Sequence, residues 1–283
     1  MMLRPLYYDM PEDISLCFRN RNQYLFGDCL MVSPITHPMD QETLLGETEV
    51  YLPGGTWTDF FTGARYHGGR RLKMFRALNT IPVLVKAGGI LPMNGEEHLK
   101  NGAALPQEIL LRLFPEADGE TELIEDNGRL PADPAYRRVV TRLRRTRGDG
   151  LTGEIDPPEG DTSLLPTGRC FSVELYGVTD TLPDACDCCY TSVYDRKRRV
   201  LSIQPQAADC RMHWNEYPDA SAPDRTDAVA GLLLQAEISY DLKASVLQQI
   251  RKYTDPLELM AELQTMPVPV PLIGAILEIL TVF

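Results

Sequence analysis

Hydrophobic positions in this chain come first as short runs broken by turn residues, and only near the end as a helical stripe. Tyr24 to Phe26 and Cys29 to Ile35 are apolar segments parted by Gly27-Asp28. Val50-Tyr51-Leu52 stops at Pro53-Gly54-Gly55, and Trp57 to Phe61 stops at Thr62-Gly63. Ile81 to Val85 is separated from Ile90-Leu91 by Gly88-Gly89. Runs of this kind, about 8–12 residues apart with Gly and Pro between them, predict a β-sandwich.

A second β-rich stretch follows. Ile109 to Phe114 and Glu120 to Glu125 read as strands joined by Pro115-Glu116-Ala117-Asp118-Gly119, in which Asp-Gly is a strong turn dipeptide. Arg138 to Thr146, Cys170 to Val178, Tyr190 to Tyr194 and Arg199 to Ile203 are further strand candidates. From Thr226 onward the period becomes helical: Leu242, Val246, Ile250 and Tyr253 fall on one helix face. Asp255-Pro256 suits the N-cap and first position of a helix over Leu257 to Leu263. Pro267, Pro269 and Pro271 predict a stiff connector before Leu272 to Leu280, and Pro218 to Asp224 reads as a linker.

Lys plus Arg total 28 against 40 Asp plus Glu, a formal net charge of −12, which disfavours a nucleic-acid partner. The densest basic run, Arg137 to Arg147, alternates as a strand would. Val139, Thr141 and Leu143 share one face, and Arg142 and Arg144 share the other. A solvated face paired with the chain's own carboxylates is the expected outcome. Pro271 to Phe283 is the most apolar segment, but it contains Glu278 and is shorter than the ~20 residues a spanning helix needs, so no membrane is expected. No charged-then-apolar leader is visible.

The seven cysteines, an odd number, lie at 17, 29, 170, 186, 188, 189 and 210. Cys186-Asp187-Cys188-Cys189 invites a metal, but no second pair or nearby histidine completes it in the sequence. Free thiols in a reducing cytoplasm, with no metal and no cofactor, are the expectation.

Four ordered blocks carry a family resemblance. They are Leu3-Arg4-Pro5-Leu6-Tyr7-Tyr8 with Met10-Pro11-Glu12-Asp13, then Gln23 to Ile35, then Tyr51 to Gly63, then Ile81 to Pro92. Their order and spacing resemble glycoside hydrolase family 31, the α-glucosidases and α-xylosidases, in the part that follows the catalytic centre. Leu123-Ile124-Glu125-Asp126-Asn127-Gly128 resembles an aromatic-then-acidic turn of that family's distal sandwich, with Ile124 and Asn127 departing from the pattern. The resemblance implies a mainly β chain. It would hold the last strand region of a (β/α)8 barrel over residues 1–38, a proximal β-sandwich over 39–95 and a distal β-domain over 96–220. A small helical appendage would occupy residues 221–283.

Retaining glycosidases use two carboxyl groups, a nucleophile and an acid/base. The family's nucleophile lies in a Trp-x-Asp-Met-Asn-Glu motif, which Tyr7-Tyr8-Asp9-Met10-Pro11-Glu12 imitates. The flanking residues align with the downstream block instead, and Pro11 lacks the N–H and fixes φ. No catalytic residue is therefore assigned. His37, His67, His98 and His213 lie among polar or turn residues and read as loop histidines. Trp57, with Phe60, Phe61 and Tyr66, and Trp214, beside His213 and Tyr217, are the candidate carbohydrate-binding residues; both also read as core. By resemblance the parent enzyme hydrolyses terminal α-linked glucose or xylose with retention, and this chain is its accessory C-terminal fragment. Its partners are then carbohydrate, through the parent, and the upstream catalytic barrel. The alternative is a carbohydrate-binding module without catalysis. The apolar tail is expected to pack helix against helix within the chain, with a homo-oligomer as the alternative.

Overall fold

The computed structural model describes residues 2–13, 19–96, 104–114, 116–148, 150–218 and 224–283; the expected linker after Pro218, His98 and Cys17 lie outside them. The chain is mainly β and divides into two compact units, residues 1–86 with 221–283, and residues 87–220.

The first unit holds β1 (Leu3–Pro5), β2 (Tyr24–Phe26), β3 (Leu30–Val32), β4 (Gly46–Leu52), β5 (Thr56–Asp59), β6 (Arg65–His67), β7 (Arg70–Arg76) and β8 (Val83–Lys86). Six of these form one sheet in the order β1-β2-β3-β8-β5-β6, and β4 pairs with β7 in a second sheet. Met31, Trp57, Tyr66 and Leu84 from the first sheet meet Val50, Leu52 and Met74 from the second in one core. Period-2 alternation explains this: Val50 and Leu52 are buried while Glu47 and Glu49 stay exposed. The Gly-rich pieces are turns, as expected. Gly68 donates to the Gly55 carbonyl at 2.7 Å, and a Cβ on Gly68 would lie 1.8 Å from the Pro53 carbonyl oxygen. Among the described residues of 1–38, β1, β2 and β3 pair antiparallel in this sheet, with Leu3 to Pro5 against Tyr24 to Phe26 and the far side of β1 left as the sheet edge.

The second unit holds β9 (Ile90–Asn94), β10 (Glu108–Leu113), β11 (Gly119–Asp126), β12 (Arg138–Arg147), β13 (Leu151–Ile155), β14 (Glu159–Gly160), β15 (Cys170–Tyr176), β16 (Ala185–Cys186), β17 (Tyr190–Asp195), β18 (Val200–Pro205) and β19 (Cys210–Trp214). One sheet runs β17-β18-β15-β10-β9 and the other β11-β12-β13-β19-β16, with β14 also on β12. Their inner faces share a core that includes Leu111, Leu143, Phe171, Val173, Leu201, Met212 and Trp214. The basic strand behaves as its alternation predicts: Arg142 pairs with Glu122 and Glu159, and Arg144 with Glu154 and Asp156. Arg145 falls on the other, buried face, where its guanidinium donates to the carbonyls of Phe114 and Ala117.

Among the described residues the first unit also holds α1 (Arg225–Gln235), α2 (Tyr240–Lys252), α3 (Pro256–Thr265) and α4 (Val270–Leu280). Asp224, Ser239 and Asp255 cap the first three by accepting N–H bonds from their first turns. The connector is shorter than expected, because Pro269 is the N-cap of α4 and Pro271 sits in its first turn, where a missing N–H costs nothing. Val229, Val246, Ile250, Leu259, Leu263, Leu272 and Ile276 pack helix on helix, as expected. The helices also join the sandwich: Leu45 and Phe75 form a small core with Ala275 and Leu232. Among the described residues no helix is long and apolar enough to cross a membrane.

Candidate functional site

A polar cleft of the first unit has a volume of about 280 Å³ and includes Asn20, Asn22, Gln23, Ser33, His37 and Lys73 in its wall. Its floor is organised by amides. Gln23 donates to the Tyr51 carbonyl at 2.7 Å and accepts from the Tyr51 N–H at 3.0 Å, mimicking a strand partner for β4. Asn20 donates to the Glu49 carbonyl at 3.3 Å. Asn20 Oδ1 and Ser33 Oγ are buried without a hydrogen-bond partner among the described residues. Amides, hydroxyls, an ammonium group and carboxylates in one cleft suit a hydroxyl-rich ligand.

The imitation motif holds Asp9 in an ion pair. Asp9 follows a short 3-10 turn and is clamped by Arg4, whose Nε and Nη2 lie 2.9 and 3.0 Å from its two oxygens. That hydrogen bonding holds the Asp9 carboxyl below its ordinary range and raises the Arg4 guanidinium above its own. Both oxygens of the Asp9 carboxylate are thus engaged by one guanidinium, a bidentate ion pair.

The two candidate sugar-binding tryptophans lie inside cores. Trp57 is 4% exposed and donates from Nε1 to the Pro53 carbonyl at 2.9 Å; Trp214 is 1% exposed and donates to the Thr181 carbonyl at 2.8 Å. Alternation along β19 turns Trp214 inward, whereas β5 is buried at Trp57, Thr58 and Asp59 alike, and each indole N–H meets a carbonyl. Neither ring offers a face to a sugar. Tyr66 is buried as well, and Phe61 is the exposed member of that aromatic group. His67 stacks on Phe283 with ring centroids 3.7 Å apart, and His213 Nδ1 lies 2.9 Å from Thr152 Oγ1.

A buried charged cluster joins α4 to the sandwich, and sequence reasoning missed it. Arg76, at the end of β7, places Nη2 2.7 Å from Asp59 Oδ2 and Nη1 2.7 Å from Glu278 Oε1. Glu278 also accepts from Tyr66 Oη at 2.9 Å and from the Phe75 N–H at 2.8 Å. Asp59 uses its other oxygen to accept from the N–H groups of Phe61 and Thr62, closing the turn after β5. Burial alone would lower the Arg76 pKa; the charges of Glu278 and Asp59 outweigh it and hold the guanidinium well above its usual range. Burial, and then the Glu278 charge, push the Tyr66 hydroxyl well up. The lone Glu in an apolar tail was the available signal, since a charge inside an otherwise buried helix face needs a partner.

The cysteines change the picture most. In the second unit Cys210 comes alongside Cys186 and Cys188, a thiol from outside the Cys186-Asp187-Cys188-Cys189 run. Burial pushes the Cys188 and Cys210 thiols up. Alternation of Cys210, Met212 and Trp214 marks a strand, which is the signal that would have brought Cys210 into view.

Residues 1–91 match the model of the glycosyl hydrolase family 31 C-terminal domain. The chain is 36% identical over 128 residues to an α-xylosidase of Saccharolobus solfataricus, covering 45% of this chain and 17% of that protein. It is 39% identical over 110 residues to an isomaltosyltransferase of Sporosarcina globispora, covering 38% of this chain and 9% of that protein. Human neutral α-glucosidase AB is 29% identical over 166 residues, with 56% and 17% covered. The chain thus spans well under a quarter of the length of these relatives. The structure is similar to a family 31 dextranase of Flavobacterium johnsoniae, with a TM-score of 0.57 at 20% identity over 76% of this chain and 29% of that one. It is also similar to a cycloalternan-forming enzyme of Listeria monocytogenes, with a TM-score of 0.55 at 21% identity over 76% and 20% of the two chains. At these identities the likeness concerns the fold.

Proposed function

We propose that this chain is the accessory C-terminal portion of a family 31 α-glycosidase, supporting a catalytic barrel carried by the same polypeptide. The barrel would hydrolyse terminal α-linked glucose or xylose with retention, through a carboxylate pair about 5–5.5 Å apart that lies outside this chain. The observation carrying this reading is an apolar edge on the first sandwich. β1 is the outermost strand of its sheet, and beside it Leu3 is 55% and Tyr8 58% exposed, with Met2, Tyr7 and Phe26 exposed around them. An open edge with apolar side chains is costly alone and is ordinarily covered. The barrel is the cover that the family relationship supplies. The thiol-rich composition goes with a reducing cytoplasm in this proposal.

The isolated chain is expected to hydrolyse aryl α-glucosides and α-xylosides only at background rate. Turnover abolished by Asp9→Asn would overturn the reading. Leu3→Asp with Tyr8→Asp should leave the unfolding of the isolated chain unchanged and lower the unfolding temperature and turnover of the barrel-carrying polypeptide. Equal stability of the two barrel-carrying proteins would also refute it.

A second reading, glycan binding without cleavage, rests on the amide-lined cleft and not on Trp57 or Trp214. Calorimetric titration with α-linked glucose and xylose oligosaccharides tests it. Heat that vanishes in Asn22→Ala and Lys73→Ala would favour it, and no heat in the unmodified chain would dismiss it.

A further inference from the structure

We infer that Cys186, Cys188 and Cys210, completed by the carboxylate of Asp187, form a tetrahedral site for a thiophilic divalent cation, with zinc the expected ion. The register builds it. β16 pairs antiparallel with β19, Ala185 opposite His213 and Cys186 opposite Met212. The pairing runs on, because the Asp187 N–H donates to the Arg211 carbonyl at 3.2 Å. Cys188 therefore arrives opposite Cys210. β16 ends at Cys186 and the chain bends at Asp187 and Cys188, which gathers both thiols and the Asp187 carboxylate against Cys210 of the neighbouring strand.

The distances suit a metal better than three free thiols. Cys186 Sγ lies 3.8 Å from Cys188 Sγ and 3.6 Å from Cys210 Sγ, and Cys188 Sγ lies 2.9 Å from Cys210 Sγ. A zinc tetrahedron with Zn–S bonds of about 2.3 Å has sulfur–sulfur edges of about 3.8 Å. Two edges already have that length within a few tenths of an ångström, and the third opens by about 0.9 Å (3.8 − 2.9) on loading. Thiols are weak donors and weak acceptors, so three of them gathered this closely gain little from one another. A dication repays the gathering: each coordinating thiol gives its proton to solvent, and the sulfur lone pair goes to the metal.

Asp187 supplies the fourth position. A carboxylate oxygen of Asp187 and the three sulfurs all lie within 4.8 Å of one another. The Arg211 N–H donates to Asp187 Oδ1 at 2.8 Å, orienting the carboxylate and leaving its second oxygen for the ion. Cys189, next in sequence, is exposed and stands outside the cluster. The ion would tie the short β16 segment to β19. A Cys188–Cys210 disulfide is the rival chemistry. It would leave Cys186 and the oriented Asp187 without a role.

The test uses the full chain, purified with a phosphine reductant, stripped with EDTA and titrated with Co²⁺. The expected result is saturable thiolate-to-cobalt charge-transfer absorption with tetrahedral d–d bands, displaced by Zn²⁺, and a higher unfolding temperature with Zn²⁺. Cys189→Ser should keep this signature, and Cys210→Ser should lose it. Because Cys210 is buried, the half-buried Cys186→Ser and the exposed Asp187→Asn are the second pair; the first should lose the tetrahedral bands and the second should bind about tenfold or more weakly. Absence of charge-transfer absorption in the reduced, folded chain would overturn the proposal. So would a Cys188–Cys210 peptide in the digest of the unreduced chain together with no Zn²⁺-dependent stabilisation after reduction.

Discussion

Glu278 occupies an unfavourable place for a carboxylate, the last turn of α4, where the helix dipole repels negative charge. Its position is set by what it meets: Arg76, Tyr66 and the Phe75 N–H. Replacing one partner of such a buried pair leaves the other charge uncompensated. Glu278→Gln is therefore expected to cost about 3–5 kcal/mol in urea unfolding of the first unit. Tyr66 adds a pH dependence. Its hydroxyl keeps its proton in the folded state at pH values where the unfolded residue, with a pKa of about 10, has lost it. The folded state then binds more protons, so stability is full below about pH 10 and falls as pH rises further. The urea midpoint should drop steeply above that pH in the unmodified chain and more gently in Tyr66→Phe. Parallel curves would show that Tyr66 carries no such linkage.

The helices gain their stability from packing, with local signals only placing their ends. Asp255 accepts from the Leu257 and Glu258 N–H groups at 2.6 and 3.3 Å, so Asp255→Ala should cost about 1 kcal/mol and fray the start of α3. Gly274 is a tighter constraint. A Cβ there would lie 2.4 Å from Phe75 Cζ, and Phe75 is itself packed against Leu45 and Ala275. Gly274→Ala should cost about 1–3 kcal/mol through that overlap, measured by chemical denaturation. Ile250, buried in the helical core, marks the opposite side of the same argument: Ile250→Asp should separate the helices.

Across the whole molecule, the first unit is closed by segments far apart in sequence, residues 1–86 and 221–283. The helical tail contributes a buried carboxylate, an apolar face and its own end, where the Phe283 N–H donates to the Arg65 carbonyl at 3.2 Å. Removing residues after Pro218 should accordingly speed amide exchange at Leu84 and Val85 in the first unit. Val173 and Leu201, in the core of the second unit, should remain protected. Unchanged exchange at Leu84 and Val85 would mean that the sandwich stands without its helices.

Local chemistry alone determined much of this protein. Period-2 runs ended by Gly and Pro marked most strands, the 3.6-residue stripe at Leu242, Val246 and Ile250 marked the buried side of α2, and Asp255-Pro256 marked the start of α3. The ordered blocks between Leu3 and Pro92 carried the family resemblance. Those signals are short-range, because propensity, capping and turn chemistry act within a few residues. Tertiary structure decided the rest. It turned Trp57 and Trp214 from candidate sugar platforms into core, since parity names two faces but not which one is covered. It brought Glu278 to Arg76 across 202 residues. It also set Cys210 beside Cys188 across a strand pair whose register no local pattern encodes. Contacts between distant strands are won by burial and pairing over the whole unit, which a linear reading of neighbours does not contain.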